Sequence, residues 1–167
     1  STMIILVSDT SILIDLDRAG LLEQAVRGHP DQLAVPDFLY ESELKQDGLG
    51  PRLVALGLEV LELSSQELER AQELRLAEPR LSLPDCAAYT CACRPEHMLL
   101  TGDGRLRQRS QAAAMECHGL LWLLDHLELH GTPALTLHAG LAALLNHPRC
   151  RLPRGEADAR LRRWRPE

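Results

Sequence analysis

A chain of 167 residues that is 45% apolar and 25% charged can bury one core, and it has the composition of an ordinary globular domain. No apolar stretch approaches the roughly 18–20 residues that cross a bilayer, and the first residues lack the pattern of a signal peptide, so a cytoplasmic protein with no membrane segment is expected. The net charge of −6 argues against an all-round nucleic-acid binder, yet of 18 basic residues all but Lys45 are arginine, and Arg149, Arg151, Arg154, Arg160, Arg162, Arg163 and Arg165 crowd the C-terminal end.

Ser1 and Thr2 precede Met3 and are set apart from the fold. Residues 3–8 read as a buried parallel strand, continuous and apolar. Ser8 to Ser11 then offers N-cap residues for a helix through Leu16, and a second short helix runs from about Ala19 to Arg27. Leu33 to Val35 is a second strand. Pro36 opens a helix carrying Phe38, Leu39 and Leu44 on one side. Residues 48–51 read as a turn before a short helix, Arg52 to Leu56. Leu58 to Leu63 alternates strictly and reads as a strand with one wetter face. Ser64 or Ser65 caps a helix that Pro79 ends. Ser82 to Cys93 is a helix apolar nearly all round, hence central. His97 to Leu100 is a strand, 103–114 a helix, 115–118 a short strand and 120–129 a leucine-rich helix. Pro133 to Asn146 is another helix. The basic tail, 148–167, is expected to pack on the same domain as 3–147, with a helix from Glu156 to Arg163. Alternating strands and helices imply an α/β sandwich around a parallel sheet.

Four acids sit where apolar segments stop. Asp9 ends the first strand, Glu43 follows the second, Asp85 opens the central helix and Asp103 follows Leu99-Leu100-Thr101-Gly102. Ligands of open parallel sheets bind at the carboxyl ends of the strands. Carboxylates converging there repel one another unless a cation lies between them, and Mg²⁺ suits carboxylate and water oxygens. Taken singly, Asp9, Asp85 and Asp103 read better as helix caps, and it is the four in order that favour a metal site. Arg105 and Arg107, just after Asp103, are placed to meet a phosphodiester. Asp15, Asp17, Asp31, Asp37, Asp47 and Asp125 read as surface charges.

The five cysteines are odd in number and irregular in spacing, and Cys86, Cys91 and Cys93 read as small buried hydrophobes, reduced rather than paired. His118 reads as structural, and the other histidines show no metal-ligand spacing. Trp122 reads as packing. Trp164 reads as an exposed tail residue, with base stacking as the alternative.

Residues 7–16, 35–44, Leu81-Ser82-Leu83-Pro84-Asp85-Cys86-Ala87-Ala88 and 99–107 together resemble the PIN-domain family of metal-dependent ribonucleases, as do 118–125 and Arg151-Leu152-Pro153. The likeness extends from about residue 3 to about residue 163. It implies a three-layer α/β/α sandwich, cleavage of RNA with Mg²⁺ or Mn²⁺, and often a toxin role with an antitoxin partner and a homodimer. It implies Asp9, Asp85 and Asp103 as metal ligands and Glu43 as the fourth acid, with Glu41 as the alternative. Ser11 and Thr101 match polar positions that hydrogen-bond the acids. The family often has a further acid where this chain has Arg105, which favours a single ion, or a second one recruited only by the substrate phosphate. The alternative function is a PIN-like binding module without catalysis.

Overall fold

The computed structural model describes residues 3–167, and Ser1 and Thr2 lie outside them. Five parallel strands form one sheet: β1 (Ile5–Ser8), β2 (Gln32–Pro36), β3 (Glu59–Leu61), β4 (His97–Leu100) and β5 (Cys117–His118), in the order β3-β2-β1-β4-β5. The sheet grows from β1 to one side through β2 and β3, then returns to its other side with β4 and β5. The β1/β4 boundary is therefore the topological switch point, where open α/β sheets gape at their carboxyl ends. Ser8 is level with Leu100 there, and the Asp9 N–H donates to the Leu100 carbonyl at 3.0 Å.

Helices cover both faces, which is why the central strands need no polar side. Leu6, Val7, Leu33, Ala34, Val35, Leu99 and Leu100 are fully buried. One face carries α3 (Asp37–Leu39), α5 (Ser65–Ala77), α6 (Leu83–Ala92) and α7 (Gly104–Ala112), grouped around the central α6. The other carries α1 (Thr10–Ala19), α2 (Leu22–Arg27), α8 (Leu120–Leu129), α9 (Ala134–Leu145) and α10 (Arg154–Trp164); α4 (Leu49–Leu56) packs on α2. The close approach of α1 and α9 depends on Gly140, where a Cβ would lie 2.9 Å from the Ala19 carbonyl.

Several elements depart from the expected ones for local reasons. The second helix begins at Leu22, not Ala19, because Gly20 ends α1 in the left-handed region at φ 69°. The expected turn at 48–51 lies largely inside α4, which starts at Leu49. Only Glu59–Leu61 of the alternating stretch pairs as a strand. The helix after Pro36 is α-helical only to Leu39, and Tyr40–Leu44 is a π-helix whose closing bond runs from the Lys45 N–H to the Tyr40 carbonyl at 2.9 Å. Cys93 is exposed, whereas Cys86 and Cys91 are buried, and burial pushes their thiols up to about 11 and about 12, so they remain protonated.

The basic tail holds the largest surprise. Its helix runs from Arg154 to Trp164, and Trp164 is only 1% exposed, with its indole N–H donating to Glu128. Arg160 forks onto both oxygens of Asp125 at 2.9 and 2.7 Å, and Arg163 joins Asp125 and Glu128. Asp125 is thus the anchor of α10 rather than a surface charge, and these arginines hold its carboxyl below the usual range despite its partial burial. Bidentate arginine–carboxylate pairing of this kind fixes geometry as well as charge.

Candidate metal centre

Asp9, Glu43, Asp85 and Asp103 line one cavity of about 370 Å³ at the carboxyl edge of the sheet, together with Thr10, Ser11, Ile14, Ser82 and Gly102. Strand ends and helix starts place each acid. Asp9 leaves β1 and caps α1, its Oδ1 accepting from the Ile12 N–H at 3.0 Å and the Ser11 hydroxyl at 2.8 Å. Its Oδ2 accepts a short hydrogen bond from the Thr101 hydroxyl. Asp103 leaves β4 through Gly102 and caps α7, with Oδ1 accepting from the Arg105 and Leu106 N–H groups at 2.8 and 3.0 Å. Asp85 is the third residue of α6 and forms a capping box with Ser82, through a long 3.4 Å bond to Oδ2. Glu43 leaves the π-helix and accepts from the Thr10 hydroxyl through Oε1 at 2.8 Å.

The capping and metal-binding readings of these acids are therefore compatible. The caps consume Oδ1 of Asp9 and of Asp103 and Oδ2 of Asp85, and the Thr10 hydroxyl occupies Oε1 of Glu43. Oδ2 of Asp103, Oδ1 of Asp85 and Oε2 of Glu43 accept no hydrogen bond from the described residues, and Asp9 Oδ2 accepts only one. A carboxylate oxygen has two lone pairs, so each acid retains capacity for a cation.

Asp9 is 2% exposed, and burial pushes its carboxyl up to about 6, against the lowering effect of its hydrogen bonds to Thr101, Ile12 and Ser11; nearby Asp85 raises it further. A cation would reverse that cost. Among the described residues no three of the four acids bring oxygens within 4.8 Å of one another. Mg²⁺ with bonds of about 2.1 Å would thus be held directly by one or two of them and through water by the rest, the usual arrangement for this ion. The donor set fits a hard, hydrated divalent cation.

The other anticipated residues divide clearly. Ser11 and Thr101 both bond Asp9, and Thr101 also accepts from the Asp103 N–H at 2.9 Å, so one hydroxyl ties the ends of β1 and β4 together. Glu41 lies outside the cavity and pairs with Lys45 at 3.1 Å. Arg105 also lies outside it, bordering a depression formed with Glu78, Arg80 and Arg109. Arg107 lines a neighbouring groove and reaches the Thr101 carbonyl at 3.4 Å.

Two features were missed. His118, Trp122, His126 and His130 recur every four residues, from the end of β5 through α8 to the residue that closes it, a spacing that the sequence itself displays. Trp122 is sandwiched between His118 and His126 at 4.4 and 4.9 Å, and His130 meets His126 edge-on. Separately, His29, Asp31 and His126 converge, contrary to the expected scatter of the histidines and to the surface reading of Asp31. Asp31 takes the Ile4 N–H on Oδ1 and His126 Nε2–H on Oδ2, at 3.0 and 2.9 Å. His29 uses both ring nitrogens, accepting from the Asp31 N–H and donating to the Ala25 carbonyl, and burial lowers its pKa. Asp31 and Ile4 precede β2 and β1, so this cluster sits at the amino edge of the sheet and fastens it, remote from the four acids.

No curated protein matches the chain. A family model, DUF3368, described as a PIN domain, matches residues 5–166, a span that contains all four acids and the C-terminal helix. With its parallel sheet, its two helical layers and acids gathered at the switch point, the chain belongs to the PIN-domain family.

Proposed function

We propose that this protein is a metal-dependent endoribonuclease that hydrolyses RNA phosphodiester bonds. One observation carries the reading: four carboxylates from four separate segments, three fixed by helix caps and Glu43 by the Thr10 hydroxyl, face a common cavity at the switch point with further acceptor capacity. Asp9, Asp85 and Asp103 form the ligand set for Mg²⁺ or Mn²⁺. Such an ion, when bound, supplies an activated water and neutralises charge on the phosphate oxygens. Thr101 holds Asp9 and the backbone of Asp103 in register across the two central strands. Glu43, steadied by Thr10, accepts a hydrogen bond from the attacking water, and Asp85 stands as the alternative for that role. Arg105 replaces an acid common in the family but lies outside the cavity, so it leaves the four-acid set intact.

The family resemblance supports the finer reading of a cytoplasmic toxin that acts as a homodimer and is restrained by an antitoxin protein. The test is cleavage of end-labelled single-stranded RNA with Mn²⁺, Mg²⁺ or chelator, using wild type and Asp9→Asn and Asp103→Asn variants. Metal-dependent cleavage by the wild type alone is expected. A folded wild type that leaves a broad panel of RNAs intact with either metal would turn the assignment toward the non-catalytic module.

A further inference from the structure

A second cavity, of about 590 Å³, opens beside the acids and shares Ser11, Ile14 and Gly102 with their cavity. Its volume lies within the roughly 300–1,000 Å³ typical of ligand sites. Its walls come from α1, the end of β5, the start of α8 and the segment Arg149 to Pro153 that leads into α10. In a chain of net charge −6 it is lined by five arginines, Arg18, Arg107, Arg149, Arg151 and Arg160, against three acids, Asp15, Asp125 and Glu156.

These arginines are not equivalent. Arg160 is committed to Asp125, and Arg18 lies 3.8 Å from Asp15. Among the described residues Arg107, Arg149 and Arg151 form no ion pair, and Arg107 makes only the long bond to the Thr101 carbonyl. The basic tail therefore has two jobs. Arg160 and Arg163 fasten α10, and the fastened helix holds the preceding segment, with Arg149 and Arg151, in the wall of the cavity that adjoins the acidic site. Apolar surface from Ile14, Leu152 and Pro153 lies between the guanidiniums.

We propose that this groove binds the single-stranded RNA segment that flanks the scissile phosphate. Arg107, Arg149 and Arg151 pair with consecutive backbone phosphates, and an unstacked base rests on the Leu152–Pro153 surface beside Trp122. The proposal rests on the ribonuclease reading. Guanidiniums favour a polyanion, and the absence of ion-pair partners among the described residues leaves these three free for phosphate. Continuity with the acid cavity lets one strand run from cation-dependent to arginine-dependent phosphate contacts.

The test is fluorescence anisotropy with a labelled single-stranded RNA octamer in chelator, on the Asp9→Asn background so that nothing is cleaved. Replacing Arg149 and Arg151 together by alanine should weaken binding about tenfold or more and lower the salt dependence, log Kd against log salt, by about 1.4 for two lost phosphate contacts. Arg162→Ala with Arg165→Ala makes the same charge change on exposed tail residues outside the groove and should leave binding within about twofold. Equal losses in the two double variants would reduce the effect to overall charge and overturn the proposal. RNA binding or wild-type cleavage that the groove variant does not alter would overturn it while sparing the ribonuclease reading. No RNA binding together with no cleavage would remove both. Binding of a glutamate-rich peptide in place of RNA, lost in the groove variant, would reassign the groove to a protein partner and overturn it as well.

Discussion

The buried carboxyl of Asp9 gives a counter-intuitive prediction: removing the central acid should make the metal-free protein more stable. Its pKa rises from 3.8 to about 6 on folding, which at about 1.4 kcal/mol per unit is about 3 kcal/mol of cost to ionise it in place. The sign follows from proton binding. Below pH 3.8 the carboxyl is neutral in both states and costs nothing. As pH climbs from 3.8 to 6 the unfolded chain ionises first, and stability is lost until the folded carboxyl ionises too. Asp9→Asn escapes that loss but weakens the bond from Thr101, a change of about 1–2 kcal/mol. The net gain is about 1–2 kcal/mol above pH 7, or about 3–6 °C in Tm for a domain of this size. Thermal melts by circular dichroism in chelator should show that gain at pH 8 and none at pH 4. Mg²⁺ at a hundredfold over its Kd adds about 2.7 kcal/mol to the wild type alone and should reverse the order. A variant that melts below the wild type at pH 8 in chelator, or a gain that persists at pH 4, would refute the argument.

Glu43→Gln should lower the cleavage rate about a hundredfold or more, the scale of a lost proton-handling group, while Glu41→Gln, whose partner is Lys45 outside the cavity, should change it less than twofold; single-turnover rates decide between them. Trp164→Ala should cost about 3–5 kcal/mol by urea denaturation, because a fully buried ring and its bond to Glu128 are lost and α10 loosens; a cost below about 1 kcal/mol would contradict the burial. Glu67 forks onto Arg94 with two 2.8 Å bonds, and that guanidinium holds its carboxyl down at about 2. Glu67→Gln should therefore cost about 1–3 kcal/mol at neutral pH, with the difference fading as pH falls from 4.5 toward 2 and the wild type loses its ionic partner.

What the sequence disclosed depended on how local the determinant was. β1 and β4 are legible because both are continuous apolar runs, and Asp9 and Asp103 can be placed because each follows one, Asp9 directly and Asp103 after Thr101 and Gly102. The capping role of the acids was equally local, within three residues of each. Asp31 and Asp125 were misread because their partners lie 95 and 35 residues away, and a charge next to no visible counter-charge looks solvated. Trp164 was misread for the same reason, since a ring flanked by arginines shows nothing of the α8 carboxylate that receives it. The groove could not be foreseen, because it exists only where α1, β5, α8 and the α9–α10 link meet.

The π-helix at Tyr40–Leu44 makes chain length itself part of the site. Leu39 and Leu44 are both buried, yet five residues of α-helix would set them about 140° apart. The wider turn brings both leucines into the core and still delivers Glu43 to Thr10. Substitutions at Ser42 leave that geometry standing, whereas its deletion would let the segment close into an α-helix. Leu39 and Leu44 would then stand four residues apart, about 40° round the helix, and keep to the core face, while the tighter turn would change how Glu43 approaches Thr10 and the cavity. An insertion or deletion here is thus a change of chemistry, although no acidic residue is altered.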